Sequence, residues 1–420
     1  MNIYNFLTSY RKYMSETAKK RIPILILVSF FFFNCGFSSV LNDILVPYLK
    51  EKHSLSYRSA ILVQTSYYIA YAIASVLGGF FLRYRSSLWG MRCGLCMGAI
   101  GAFFVCIANS LLSYSMILLG IFILGSGIAL LQVVSNPYIL RLGEAKTAAS
   151  RLSFSQSLTS VGGILSSYFG SKYILSSLDR ISEFFNPIED TYLFLSFTWA
   201  SLFLLTFLIR FPKEKKTSPT LGKKTSVLKN PYILMGIAGI LIAVGVETSV
   251  GSFLVSFLNG SKLKGVSMES LGKISTLYWV GFLLGRIIGG FALQKMKPSS
   301  CLLYLSLAGV FFAGLVTISS GYLAVFSVLI LGLCTSMLYP LILALALSSC
   351  TERTSEVSGF LCMGNIGGAL IPYIQGFYAD VFGIRESFLI PVFCFILLLS
   401  YALVLKQEKL LNFQTKKLTT

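Results

Sequence analysis

The sequence is short of charge, and of acid above all. Of its 420 residues 12% are charged, about half the share usual in a soluble domain, ~25%. Asp and Glu total 16 against 35 Lys and Arg, a formal net charge of +19. There is a single histidine, His53, in a short polar loop. One imidazole is too few to assemble a His-built zinc hydrolase site or a buried Ser-His-Asp triad. No G-x-x-x-x-G-K-[ST] stretch occurs, so the chain brings no P-loop of its own for ATP-driven work. The nine cysteines are odd in number and lie almost wholly in apolar runs, which excludes a secreted disulfide scaffold. Cys93 and Cys96 form the one C-x-x-C, inside an apolar helix without other ligands nearby, and are expected to pack rather than bind metal. An aromatic content of 14% is too high for a basic nucleic-acid-binding tail, the other common source of a large positive charge. No nucleic-acid partner is expected.

What the chain has instead is grease: 55% hydrophobic residues and a mean hydropathy of +0.76. Few charges, mostly basic and confined to short stretches, predict an all-α integral membrane protein embedded in a lipid bilayer. Twelve apolar runs are long enough to cross a ~30 Å hydrocarbon core as helices. They fall at 23–47, 59–82, 91–110, 114–140, 153–175, 192–211, 231–258, 270–293, 300–319, 322–348, 357–379 and 386–405. The first begins after Arg21 and lacks a small-residue cleavage site, so a signal peptide is not expected. With both ends on one side, 25 of the 35 Lys and Arg fall on that side, 9 on the other, and Arg286 stays within the eighth run. The positive-inside rule then puts both termini in the cytoplasm. The domain plan is a cytoplasmic N-terminal segment 1–22, a six-helix half 23–211, a basic linker 212–230, a second half 231–405 and a cytoplasmic tail 406–420. Segment 1–22 suits an interfacial helix or a frayed basic tail equally. The Lys-rich linker reads as a solvated, orienting loop.

The two halves repeat. Gly78 with Gly79 matches Gly285, Pro137 matches Pro340, Gly162-Gly163 matches Gly367-Gly368, and Asp43 matches Glu247, with offsets of 207, 203, 205 and 204 positions. A duplicated six-helix unit is expected, with a solute site between the halves near the bilayer midplane. Of the 16 acidic residues, 14 lie in loops, tails or helix ends. The remaining two, Asp43 and Glu247, sit within apolar runs, where an ionised carboxylate costs about 2.5–3.5 kcal/mol on insertion scales. A carboxyl that alternates between charged and neutral forms can couple proton entry to transport. Both are candidate proton-coupling residues, the structural alternatives being a cap or outer-surface salt bridge for Asp43 and a structural hydrogen bond or a pair with Arg286 for Glu247. Arg286, near the end of its helix, is expected to snorkel or to fix the following turn. Gln132 and Asn136 are four apart before Pro137, and Gln156 and Thr159 are three apart, so each pair shares a helix face. With Asn42 and Asn365 they form a set of amide and hydroxyl groups suited to the hydroxyls of a neutral sugar. Tyr278 and Trp279 are candidate rings for the C–H face of that sugar. The alternative for each group is helix–helix hydrogen bonding, about 0.6 kcal/mol per bond.

These residues lie in stretches that resemble the fucose–galactose–glucose:proton symporters of the major facilitator superfamily, nearest to the glucose/galactose branch. The matching stretches are GFSSVLNDILVPYL (36–49), LLQVVSNPYI with LRLGEAKTAASRLSFSQSLTSVGG (130–163), GVETSVGSFLVSFL (245–258), GRIIGGFALQKMKP (285–298), SMLYPLILALAL (336–347) and SGFLCMGNIGGALIPYIQG (358–376). The resemblance implies the major facilitator fold, twelve helices in two pseudo-symmetric halves, and alternating access. It implies that Asp43, in N-D-I-L-x-P, is the coupling acid and that Gln156, in R-L-x-x-x-Q, touches sugar. Gln132 stands where fucose symporters have Glu, and Glu247 where they have Gln, as in glucose/galactose members. Departures are Cys35 in place of a Trp, Thr159 in place of an Asn, and no acid in the loop 83–92. The expectation is a secondary transporter, not an enzyme, importing a neutral hexose (glucose, galactose or fucose) by symport with H+, or with Na+, across a bacterial cytoplasmic membrane. No cofactor beyond that cation is expected, and the protein is expected to be a monomer. The rival reading is a major facilitator carrier of another small neutral solute.

Overall fold

The computed structural model describes residues 16–82, 84–111, 113–141, 148–178, 186–209, 230–260, 267–319, 321–348 and 354–418. Residues 1–15 of the expected N-terminal segment and 212–229 of the expected linker lie outside them. Among the described residues there is no strand, and twelve helical rods follow one another. They are α1 Glu16–Lys52, α2 Tyr57–Phe81, α3 Ser87–Ser110, α4 Tyr114–Arg141, α5 Ala148–Tyr173 and α6 Pro187–Leu208. The second set is α7 Pro231–Gly260, α8 Met268–Lys295, α9 Pro298–Ile318, α10 Tyr322–Leu347, α11 Glu356–Phe382 and α12 Leu389–Leu418. Local chemistry starts many of them. The hydroxyls of Ser56, Ser86 and Ser267 accept from backbone N–H groups three residues on, in α2, α3 and α8, and Pro187 and Pro298 open α6 and α9, where a missing N–H costs nothing. Gly383, at φ 105°, stops α11 in a conformation closed to side chains.

Eleven of the rods are long and apolar enough to cross a bilayer. The exception is α5, which buries Ser150, Ser153, Gln156, Ser160, Ser166, Ser167 and Ser171. They are tolerated because these residues are buried where α5 packs between α1 and α8, and its hydroxyls bond to neighbouring backbone: Ser150 to the Gly290 carbonyl at 2.8 Å, Ser153 to that of Arg286 at 2.7 Å. In membranes, small residues let helices approach and hydroxyls satisfy the exposed groups. Two ends run past their expected limits: α1 begins at Glu16 and α12 reaches Leu418. Hydropathy marks where lipid ends, and the backbone ladder continues beyond it.

The halves repeat in packing as in sequence. A Cβ on Gly162 of α5 would overlap the Phe33 carbonyl of α1, and one on Gly367, 205 positions on, would overlap the Leu241 carbonyl of α7. So α11 lies on α7 as α5 lies on α1. Helices α10 and α11 are broken at mid-depth. The first is interrupted between Thr335 and Leu338, and the second passes through a 3-10 turn at Gly364–Ile366. Pro340 has no N–H for the carbonyl four residues back, that of Ser336, and irregular backbone at this depth is tolerated where it lines a cavity or is buried in protein.

Candidate functional site

Where α1, α2, α4, α5, α7, α8, α10 and α11 converge at mid-depth lies a cavity of about 80 Å3 lined by polar and aromatic side chains. Helical spacing supplies its walls. Gly36, Ser39, Val40 and Asp43 share one stripe of α1; Tyr67, Tyr68 and Tyr71 of α2; Gln156, Thr159 and Ser160 of α5; Val244, Glu247 and Thr248 of α7; Trp279, Phe282 and Arg286 of α8. Gln132, Tyr339 and Asn365 complete it from α4, α10 and α11.

Asp43 is 8% exposed and has no ion-pair partner among the described residues. Neutral donors hold it instead. Gln64 Nε2 donates to its Oδ1 at 2.7 Å and Ser252 Oγ to the same oxygen at 2.6 Å, while Gln64 Nε2 also reaches Ser252 Oγ at 3.1 Å. Ser252 belongs to α7, so the carboxyl is tied across the two halves. Glu247 also lines the cavity. The pair with Arg286 considered for it from sequence is not formed among the described residues, although each feels the other's charge.

Arg286 does not snorkel. It is 4% exposed, its Nε donates to the Ser336 carbonyl at 3.2 Å, and its Nη1 donates to the Gln156 carbonyl and to Ser160 Oγ. The Ser336 carbonyl is the one that Pro340 leaves without a helical donor, so the guanidinium satisfies it and fastens α8 to α5 and α10. These three hydrogen bonds offset part of the cost of burying a cation at this depth.

On α4, Asn136 Nδ2 donates to Tyr339 Oη at 3.1 Å and to Gln132 Oε1 at 3.4 Å, and the Tyr339 hydroxyl reaches Gln132 Oε1 at 3.4 Å. This triangle joins α4 to α10, with Gln132 and Tyr339 facing the cavity and Asn136 behind them. Asn365 Nδ2 satisfies the Cys362 carbonyl at 2.7 Å beside the break in α11. Three polar atoms of wall residues, Gln156 Oε1, Thr159 Oγ1 and Tyr71 Oη, have no hydrogen-bond partner among the described residues. Buried polar groups are normally satisfied, and each left unmade costs about 1–3 kcal/mol. They are available to a solute.

Of the residues singled out in the sequence, Asp43, Gln132, Gln156, Thr159, Glu247 and Asn365 meet at the cavity. Three need correction: Asn136 is not in the lining and stands behind Gln132 and Tyr339. Asn42 is turned toward α6, where its Oδ1 accepts from Tyr192 at 3.2 Å, and Tyr278 is buried with its hydroxyl 3.3 Å from that of Thr335. Neither lines the cavity; the ring that does is Trp279, against which Tyr278 packs edge-on, centroids 5.1 Å apart. Gln64, Ser252, the α2 tyrosines and Tyr339 were not singled out. The spacing of 64, 67, 68 and 71, one polar stripe on an apolar helix, is the signal that could have found the α2 set. Cys93 and Cys96 are free, half-buried thiols, and among the described residues no cluster of His, Cys, Asp and Glu could hold a metal.

Contacts between the halves lie on both sides of the cavity. On the face bearing the starts of α1 and α7, Ser150 and Ser153 bond to α8, and the rings of Phe80 and Phe360 meet at 5.7 Å. On the opposite face, Asp380 of α11 accepts from the backbone N–H groups of Tyr57 at 2.9 Å and Arg58 at 3.1 Å, and the Ser167 and Ser275 hydroxyls lie 3.3 Å apart.

Known proteins share this architecture. The Major Facilitator Superfamily model matches residues 26–361 and 264–417. The chain is similar to a glucose/galactose transporter of Brucella abortus biovar 1 (strain 9-941), 34% identical over 377 residues, covering 89% of this chain and 92% of that protein. It is 25% identical to an L-fucose-proton symporter of Escherichia coli (strain K12) over 422 residues, 94% of this chain and 96% of that one. Among solved structures, a major facilitator transporter, FucP, in the outward conformation superimposes with a TM-score of 0.74 at 24% identity, covering 91% of this chain and 98% of that chain. The matches run through both halves and through the helices that build the cavity, and the chain belongs to the Major Facilitator Superfamily, a family of membrane transporters rather than enzymes.

Proposed function

We propose that the protein imports a neutral hexose of the glucose/galactose type across a bacterial cytoplasmic membrane, with both termini in the cytoplasm, by symport with H+ and alternating access. The observation that carries this reading is the cavity itself. A carboxyl tied across the two halves borders a wall of unpartnered amide and hydroxyl groups backed by aromatic rings. Gln156, Thr159 and Tyr71 supply donors and acceptors for sugar hydroxyls, and Trp279 supplies a face for the C–H side. Among the described residues Arg286 is the one cation in the cavity lining and stands beside the two acids Asp43 and Glu247, a balance that disfavours an anionic solute. The names of the relatives, a glucose/galactose transporter and an L-fucose-proton symporter, support a sugar substrate and proton coupling.

In the cycle, Asp43 takes up a proton from the outer side. The bond from Ser252 is charge-assisted while Asp43 is ionised and about half as strong once it is neutral, so protonation changes how firmly α1 is held to α7. Glu247 is the second coupling or binding group. The cavity of about 80 Å3 holds a few waters and is smaller than a hexose, so the halves part to admit substrate and close around it. The test is uptake of labelled glucose, galactose and fucose into proteoliposomes under an imposed pH gradient or Na+ gradient. Accumulation driven by the pH gradient supports the reading. Accumulation driven by Na+ alone replaces the cation, and no accumulation under either gradient removes the symporter.

A further inference from the structure

Asp43 is held by two side chains that do not themselves reach the cavity. Gln64 of α2 and Ser252 of α7 are both 1% exposed, and neither belongs to the cavity wall. With Asp43 ionised, the donors and acceptors of the three close a ring in one way. Ser252 gives its single hydroxyl proton to Asp43 Oδ1 at 2.6 Å. Its oxygen is then left to accept, and Gln64 Nε2 supplies one N–H to it at 3.1 Å and the other to Asp43 Oδ1 at 2.7 Å. Turning the amide over would set Gln64 Oε1 against a carboxylate oxygen and against a hydroxyl whose proton is committed, so the ring orients the amide.

The two oxygens of Asp43 are thereby made unequal. Oδ1 takes both donors, and Oδ2 accepts no hydrogen bond among the described residues. A glycine keeps room beside it: a Cβ on Gly251 would stand 3.3 Å from Oδ2 and 3.3 Å from Trp279 Cζ2, closer than ordinary van der Waals contact. Asp43 and Trp279 both line the cavity, and Oδ2 is the oxygen left for a proton that arrives there. A proton on Oδ2 leaves Oδ1 an acceptor, so the ring persists in both states. Its bonds are about twice as strong while the carboxylate is charged, and the Gln64 donor therefore stabilises the ionised form more than the neutral one.

We propose that Gln64 is the positioning residue of the coupling site: it fixes Asp43 so that the proton enters at Oδ2, and it sets the pH at which the carrier loads. The proposal rests on the reading of Asp43 as the coupling acid. The other charged or titratable groups that face Asp43 are Glu247 of α7, Arg286 and Tyr278 of α8, and Tyr67 and Tyr68 of α2. The wall residues of α4 and α5, Gln132, Gln156, Thr159 and Ser160, do not titrate, and Tyr192 of α6 is turned to Asn42. Tyrosine ordinarily ionises at about pH 10, so Glu247 is the group whose titration must be told apart from that of Asp43.

The test titrates the purified full chain in liposomes, without sugar, by infrared difference spectroscopy, reading the C=O stretch of a protonated carboxyl. The part of that band lost in Asp43→Asn belongs to Asp43 and not to Glu247. Gln64→Met keeps the length of the side chain and removes the donor, and the midpoint of the Asp43 band should rise by about one pH unit, the size of the difference between a charged and a neutral hydrogen bond. Gln64→Leu is a second donor-less variant and should do the same, and Ser252→Ala, which removes the other donor, should move the midpoint in the same direction. Melting temperatures verify that the variants fold. A Gln64 that only binds helices together would lower the melting temperature and leave the midpoint in place. A midpoint unmoved or lowered in a folded Gln64→Met or Gln64→Leu overturns this proposal alone, whatever the carrier transports. A wild-type band with no part removed by Asp43→Asn at any pH overturns it together with the coupling role of Asp43.

Discussion

Asp43 and Arg286 show two ways a charged side chain is accommodated inside a membrane. Asp43 is held by neutral donors, Gln64 and Ser252, so it can gain or lose a proton without abandoning a cation. Asp43→Asn should therefore abolish uphill uptake while leaving exchange of labelled for unlabelled sugar, measured in the same proteoliposomes. Undiminished uphill uptake removes Asp43 from coupling. Arg286 serves structure as well as the cavity wall. Arg286→Gln should leave the Ser336 carbonyl without its donor and cost about 1–3 kcal/mol, seen as a lower melting temperature, with Arg286→Lys recovering part of it. The sequence made Asp43 and Glu247 conspicuous because acids are scarce in apolar runs. Arg286 was misjudged because depth along a helix is legible in one dimension, whereas its partners lie 130 and 50 positions away. Asn42 and Tyr278 were misplaced for a related reason: each adjoins a cavity residue, and one step along a helix turns the side chain by about 100°.

At the scale of the helices, α5 is the informative element. Its polarity would disqualify it as a lone span, yet its serines and glycines let it lie against α1 and α8. Gly162→Val should push α5 off α1 by driving side-chain atoms into the Phe33 carbonyl, and Gly367→Val should do the same to α11 against α7. Both should yield little folded protein by size-exclusion chromatography. Gly314, on α9, has nothing within 4 Å of where a Cβ would stand, and Gly314→Ala should change stability by no more than about 1 kcal/mol, in the stabilising direction. The repeat of these glycines was visible in the sequence, and so were the twelve rods. The breaks in α10 and α11 were only half visible: Pro340 announces one, but which group rescues the freed carbonyl depends on tertiary packing.

For the whole molecule, the two halves touch on both faces of the cavity between them. Asp380 holds one face by accepting from two N–H groups in the first turn of α2, groups that no helical carbonyl can satisfy. These bonds are exposed, each contributing about 0.5–1.5 kcal/mol. Asp380→Ala should shift the populations roughly fivefold toward opening on that face, visible as longer distances between spin labels at the adjoining ends of α2 and α11. This closure was not legible in the sequence, where Asp380 is one of 14 acids at helix ends and loops, because its meaning lies in a partner 323 positions away. The central claim, that the polar cavity moves a hexose by spending a cation gradient, is tested most directly by labelled hexose uptake into proteoliposomes of the purified protein. Accumulation of glucose or galactose above its equilibrium level under an inward proton gradient, collapsed by a protonophore, is the predicted result. No accumulation of any hexose under a proton or a Na+ gradient would contradict it.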